Sequence, residues 1–168
     1  MKKFVKSVMV MAMAVAFAGA AHAGSTAANM WVSADAQAAV QLYVLSNLGF
    51  GSFDNSVAGT VETTAQIEVT APVGLNYDVT IDAGYYFSGA SRQVGNGLAG
   101  LAYNLYQDAG HTIEWGDSGF GNTYPAGSSL FGTGTGIAQP YTVYGVLTKD
   151  ILVSGGYYDD LLTVTAIW

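Results

Sequence analysis

Downstream of residue 23, apolar and polar side chains alternate with a period of two again and again, and no stretch keeps a 3.6-residue apolar period for three turns. Such alternation turns one row of side chains toward a core and the next toward water, so it dictates strands and excludes a helical bundle. "NYDVTID" (76–82) is a clear case, with Tyr77, Val79 and Ile81 on one face and Asp78, Thr80 and Asp82 on the other. The same reading gives strands at "VQLYVLS" (40–46), "TVETTAQIEVT" (60–70), "LAYNLYQD" (101–108), "YTVYGVLT" (141–148) and "YYDDLLTVTAIW" (157–168). "HTIEWG" (111–116) reads as the return strand of a hairpin turning at Ala109-Gly110. Seven glycines from Gly116 to Gly136, without periodicity, read as one long surface loop. Charged residues make up only 10% of the chain, which suits strands and tight turns. The expectation is a single antiparallel β domain, a sandwich in preference to a barrel.

The first residues have the pattern of an export signal. Lys2, Lys3 and Lys6 precede the apolar run "VMVMAMAVAFAGA", and Ala21-His22-Ala23 supplies small residues for cleavage before Gly24. The run is shorter than the ~20 apolar residues that a bilayer-spanning helix requires. Cleavage leaves Arg92 and Lys149 to oppose 12 acidic residues, a net charge of about −10. That surface repels nucleic acid and anionic lipid, so no nucleic-acid partner is expected. The absence of cysteine excludes thiol nucleophiles, Cys-zinc sites and a redox role.

Several short motifs invite a chemical reading and do not sustain it. "GDSG" (116–119) has the letters of a serine-protease nucleophile, but catalysis also needs a histidine within hydrogen-bond reach and a group to orient it. His111 lies seven residues before Ser118, about 23 Å along an extended strand. A glycine-permitted turn, with Asp117 bonding local amides, is the simpler account. His111 with Asp108, Glu114 and Asp117 offers a single imidazole and alternating side-chain directions, a poor basis for a metal site. "GTGTG" (132–136) lacks the following Lys-Ser/Thr of a phosphate loop. The 11 tyrosines suit cross-strand packing better than a sugar-binding face. The expectation is no enzyme, no cofactor and no metal.

Two features point to a sandwich that is not closed. In "GSTAANMWVSADAQA" (24–38), Ala28, Met30, Val32, Ala34 and Ala36 alternate with Asn29, Ser33, Asp35 and Gln37, with Trp31 as the exception. At the other end the sequence stops directly after its most regular strand. About six core strands are counted, where an immunoglobulin-like sandwich has seven, and a missing strand leaves an edge that another chain must fill. An eight-stranded outer-membrane barrel is the main competitor, because the alternation Leu162, Val164, Ala166, Trp168 ends on an aromatic. The strand count and the glycine loop weigh against it.

Ordered blocks along nearly the whole chain resemble the spore coat U domain family, which includes subunits of archaic chaperone–usher pili. They are "LGFGSFDN" (48–55), "YDVTIDAG" (77–84) with Arg92 downstream, "YNLYQDAGHTIEWGD" (103–117), "GTGTG" followed by "TVYG" (142–145), and "GYYDDLLTVTAIW" (156–168). The resemblance marks Tyr103, Asn104, Leu105, Tyr106, His111, Trp115, Gly116, Asp117, Tyr144, Gly145, Gly156, Tyr158 and Asp160 as structural signature positions. It implies an all-β, incomplete immunoglobulin-like antiparallel β-sandwich with an N-terminal donor strand. The expected layout is a signal peptide (1–23), a donor segment (24–37) and a sandwich domain (38–168).

By that resemblance, Ala28, Met30, Val32, Ala34 and Ala36 enter the groove of a neighbouring copy or related pilin, head to tail. Val40, Leu42 and Val44 of the first core strand and Leu162, Val164, Ala166 and Trp168 of the last line the receiving groove. A periplasmic chaperone and an outer-membrane usher are the implied assembly partners, and surface attachment in a biofilm the implied role. A coat protein of the same family and a monomeric secreted binder are the alternatives. The family commonly ties its first two core strands with a disulfide. Here Val40 stands at the first of those positions and Val69 or Ala71 near the second.

Overall fold

A computed structural model describes residues 30–34, 39–54, 56–149 and 153–168. The chain forms two compact units, Met1–Asp35 and Ala36–Trp168. Within the first, residues 30–34 adopt neither helix nor strand, and their side chains are exposed. The expected signal peptide, its cleavage site, Ala28 and Ala36 lie outside the described residues.

The second unit is built of strands: β1 (Gln41–Val44), β2 (Gly59–Thr70), β3 (Asn76–Ile81), β4 (Arg92–Gly95), β5 (Gly100–Tyr106), β6 (Leu130–Thr133), β7 (Ala138–Lys149) and β8 (Val164–Ile167). One sheet has the order β1-β2-β7-β5-β4 and the other β6-β3-β8. All the ladders are antiparallel. The longest runs the full length of β2 and β7, from Gly59 opposite Lys149 to Thr70 opposite Ala138.

The alternation read from the sequence sets which faces meet. Ala65, Ile67 and Val69 of β2, Tyr77, Val79 and Ile81 of β3, Leu101, Tyr103 and Leu105 of β5, and Val143 and Leu147 of β7 are all buried in one shared core. Both sheets therefore give their inner rows to a common interior, as in an immunoglobulin-like sandwich. Trp115, fully buried, enters that core and donates its indole N–H to the Val79 carbonyl at 2.9 Å.

Five elements differ from the sequence reading. Residues 111–116 form no named strand; their ladder-type pairing is limited to the isolated bridges Tyr106–Glu114 and Trp115–Ser128. The Asp108 carboxylate takes the amide N–H groups of Thr112 and Ile113 and the Thr112 hydroxyl, so those amides are withdrawn from a ladder. The C-terminal strand is confined to Val164–Ile167, because Asp160 and Asp82 take the amides of Leu161 and Thr163. Upstream, Asp159 bridges Gly95, and the Thr163 carbonyl accepts the Asp82 amide at 3.1 Å. The first strand is likewise shorter than expected, at Gln41–Val44. Finally, β4 and β6 were not legible: each has four residues flanked by Ser or Gly, and β6 lies inside the glycine-rich stretch.

Candidate functional site: an open cleft between the first and last strands

In the five-stranded sheet β1 is an edge, paired only with β2, and in the three-stranded sheet β8 is an edge, paired only with β3. These two edges approach each other within 8 Å, Cα to Cα. Where they diverge, the sandwich opens into a cleft of about 1040 Å³. Its floor is the inner row of the core: Ile67 of β2, Ile81 of β3, Leu101 and Leu105 of β5, and Val143 and Leu147 of β7. One wall is residues 44–53 and the other residues 153–162 with Val164. Neither wall is a strand beyond Val44 and before Val164 apart from the single bridge at Asp159. A slot between two backbone segments thus leads down to core residues that are themselves at most 5% exposed.

Two fixtures hold the walls. Asp160 anchors the second. Its Oδ2 accepts the Tyr103 hydroxyl at 2.6 Å, and its Oδ1 accepts the amides of Tyr85 at 2.8 Å, Tyr86 at 3.1 Å and Leu161 at 2.9 Å. Gly84, at φ +81°, sits directly beneath this carboxylate, where a Cβ would collide with Oδ2. Burial, and then the bond to Asp160, push the Tyr103 phenol well above its usual range, so it remains a donor. In the first wall Leu48 lies over Gly145 of β7, and a Cβ there would stand 2.6 Å from Leu48 Cδ2. Phe50 packs against the Tyr103 ring at 6.0 Å between centroids.

The expected groove residues fall into two groups. Val44, Leu162 and Val164 line the cleft. Val40 and Leu42 are half-buried against the core beside it. Ala166 stands opposite the fully buried Val79, and Trp168 is exposed. Leu48, Phe50, Phe53 and Val153 were not singled out from the sequence, yet they line the cleft and pack on the core. The triplet Leu48, Phe50 and Phe53, spaced among glycines and serine, was the available signal. Of the expected donor residues, Met30, Val32 and Ala34 are described, and all are exposed. On the disulfide positions, continuing the register Gln41–Thr70 by one residue brings Val40 opposite the buried Ala71.

The remaining signature residues form a scaffold behind the cleft. Arg92 is fully buried, and its guanidinium donates to three main-chain carbonyls: Nε to Asp82 at 2.8 Å, Nη1 to Trp115 at 2.7 Å and Nη2 to Ile81 at 2.7 Å. It lies 3.9 Å from the centre of the Tyr124 ring. Burial lowers its pKa, and its three carbonyl acceptors satisfy the guanidinium fork. Asp117 is buried and accepts the Thr123 amide and hydroxyl and the Tyr124 amide. Burial opposes its ionisation, but those donors outweigh it and hold the carboxyl below its usual range.

"GDSG" is therefore a loop closure, with Ser118 exposed and its amide given to the Gly127 carbonyl. His111, at φ +54°, rests between the rings of Tyr106 and Tyr144 at 5.1 and 6.4 Å. Asn104 bonds the Tyr106 hydroxyl at 3.3 Å, Tyr158 donates to the Ser154 carbonyl at 2.7 Å, and Gly116 packs on Gly127. Gly156 approaches the Asn96 side chain, and Leu105 is part of the core. Among the described residues no three His, Cys, Asp or Glu side chains converge as metal ligands.

Fold and cleft together define an immunoglobulin-like β-sandwich with a slot between its first and last strands. Residues 20–165 match the profile of the Spore Coat Protein U domain, and the chain belongs to that family. No curated protein sequence is significantly similar to it. Solved structures share the fold. One is the CsuC–CsuE chaperone–tip adhesion subunit pre-assembly complex of archaic chaperone–usher Csu pili of Acinetobacter baumannii (TM-score 0.55, 15% identity, 79% of this chain and 40% of that one). A second is the P pilus rod subunit PapA (0.53, 18%, 77% and 97%). A third is a subunit of a chaperone–usher pilus described for rod uncoiling (0.51, 15%, 90% and 99%). The chain thus spans less than half the length of the first of these.

Proposed function

We propose that the chain is a structural, non-enzymatic subunit of a cell-surface pilus, assembled by strand donation between copies. The observation that carries this reading is the slot itself: β1 and β8 are sheet edges, and the irregular segments that continue from them, residues 44–53 and 153–162, leave a cleft over an apolar floor. Exposed edges with apolar pockets between them favour completion by an added strand, whose backbone gives direction and whose alternate side chains give register. Residues 24–37 supply such a strand. Ala28, Met30, Val32, Ala34 and Ala36 recur every ~6.6 Å in extended chain, and each larger side chain gains about 1.5–3 kcal/mol on full burial.

Donor and slot are different surfaces, so the contact does not close on itself and propagates as a filament. In this reading residues 1–23 direct export, a periplasmic chaperone fills the slot before assembly, and an outer-membrane usher exchanges it for the next copy's residues 24–37. Attachment to surfaces in a biofilm is the biological role that fits such a fibre. The fold shared with chaperone–usher subunits and the family membership support the same reading. The family's name favours a coat protein as the second reading; that protein would assemble without an usher.

Deletion of residues 25–36 tests the proposal. Chaperone-bound subunits that no longer polymerise are the expected result, and fibres of normal length from the truncated chain overturn it. Val32→Asp, which places an unpaired charge in an apolar pocket, is expected to abolish surface fibres as well.

A further inference from the structure

Two turns at one end of the sandwich carry apolar side chains into water. Val73, between β2 and β3, is 79% exposed, and Ile137, just before β7, is 70% exposed. The turns are locked together: the Gly74 amide donates to the Gly134 carbonyl at 2.8 Å, Gly134 to Leu75 at 2.8 Å and Gly136 to Ala71 at 3.0 Å. A Cβ on Gly136 would stand 3.0 Å from Val73 Cγ2, so the Val73 side chain rests on the neighbouring turn. We propose that Val73 and Ile137 form a knob that seats on Tyr85 and Leu161 of the next copy, at the mouth of its slot. The proposal rests on strand donation by residues 24–37 and adds a contact between the two sandwich bodies.

The path of the tail brings knob and mouth together. Val40 stands opposite Ala71, so the leading segment of each copy joins its sandwich at the knob end. The slot opens at the other end. There β1 finishes at Val44, opposite Ile67, and β8 starts at Val164, opposite Ile81, the last residue of β3. Residues 44–53 and 153–162 continue past these points, away from the knob. Between β1 and β8 themselves the Cα atoms approach within 8 Å. A strand paired on both sides needs about 9–10 Å between its neighbours, so that end is shut.

A tail seated in the slot therefore leaves by the open end. From Ala36 to Val40 the chain advances four residues, at most about 14 Å when extended. The knob of the donating copy is thus held at the open end of the receiving one. The two sides of that end differ. The first wall finishes in Gly51 and Ser52 and is followed by Asp54, all exposed. The second carries Leu161, 77% exposed, with Tyr85 beside it, 78% exposed. One oxygen, Asp160 Oδ1, accepts the amides of both, which fixes them side by side. Two apolar pairs on rigid backbone, joined by so short a tether, meet at a high effective concentration, so a contact of four side chains suffices. It sets the angle between successive copies, while the donated strand supplies the strength.

Two experiments on assembled fibres decide it. The chain has no native cysteine, so Ile137→Cys/Leu161→Cys reports the contact by disulfide formation. Mild oxidation is expected to give a ladder of oligomers that survives boiling in detergent. Phe131→Cys/Leu161→Cys is expected to give none, because Phe131 lies on the exposed face of β6, opposite Asp78. No ladder from the first pair, or an equal one from the second, overturns the proposal.

The second experiment measures fibre stiffness in electron micrographs. Ile137→Ser and Leu161→Ser are each expected to lower the persistence length severalfold, and the double variant no further than the lower single one. Wild-type stiffness of Ile137→Ser, or losses that multiply in the double variant, overturns the proposal. Failure of strand donation itself is read separately, as fibres from the chain lacking residues 25–36.

Discussion

Substituting Asp160 separates the anchor of the cleft wall into its parts. In Asp160→Ala the Tyr103 hydroxyl, on a residue only 3% exposed, loses its sole acceptor at 2.6 Å, and the amides of Tyr85, Tyr86 and Leu161 lose theirs. A hydrogen bond to a charged group contributes about 1.5–3 kcal/mol, and a buried donor left without a partner bears its full desolvation cost. The three amides lie on a rim that water reaches, so they lose less, roughly 0.5 kcal/mol each. The sum is about 3–4.5 kcal/mol, a large part of a typical stability of about 5–15 kcal/mol. Asp160→Asn keeps one carbonyl oxygen at the Oδ1 position for the amides. It places an NH₂ before Tyr103, whose hydroxyl then turns to accept, at a cost of about 1 kcal/mol.

Guanidinium unfolding of the chain, followed by near-ultraviolet circular dichroism, reads these differences as shifts in midpoint at constant slope. The decisive term is the double variant. Once Asp160 is Ala, Tyr103→Phe removes an orphaned hydroxyl and is expected to be neutral or stabilising, whereas in the wild type it costs about 1–2 kcal/mol. Equal effects of Tyr103→Phe in both backgrounds would refute the assignment of Asp160 as the anchor.

Three further outcomes are expected. Gly145→Val drives Leu48 out of the first wall and destabilises by about 1–3 kcal/mol; Leu48→Ala in the same chain restores most of the loss, and urea midpoints report both. Arg92→Met leaves three carbonyls without their donors and costs about 3 kcal/mol, even after removal of a buried charge, with Arg92→Lys intermediate because an ammonium lacks the planar fork. Tyr77, Tyr103 and Tyr124 all have pKa values raised first by burial, so above pH 10 the unfolded chain releases phenolic protons that the folded chain retains. The unfolded state then binds fewer protons and stability falls with rising pH, seen as a decreasing guanidinium midpoint between pH 9 and pH 12; a flat profile contradicts the burial of these phenols.

The long strands were legible because a core row needs only alternation, and β2, β3, β5 and β7 bury their apolar sets accordingly. The short strands were not, since four residues such as Arg92–Gly95 carry no period. Arg92 itself misleads a sequence reader: a lone cation among acids suggests a surface, yet here it is sealed beneath Tyr124 by carbonyls from residues 81, 82 and 115. The cleft was anticipated at β1 and β8, but its walls run along irregular backbone on both sides. Their anchors join residues as far apart as Tyr103 and Asp160, a relation that no local pattern contains. Likewise Asp108 and Asp117 were visible as letters, while their function as acceptors that displace a strand and close a loop depends on the fold around them.

Amide hydrogen exchange across β1 and β8 tests the central claim most directly. Edge amides of Gln41–Val44 and Val164–Ile167 that the β2 and β3 ladders leave unpaired are compared in assembled fibres and in the chain lacking residues 25–36. Strong protection of both edges in fibres, lost together in the truncated chain, is the result this account predicts. Equal exchange in the two samples, with the slot edges open in the fibre or shielded without residues 25–36, would contradict it.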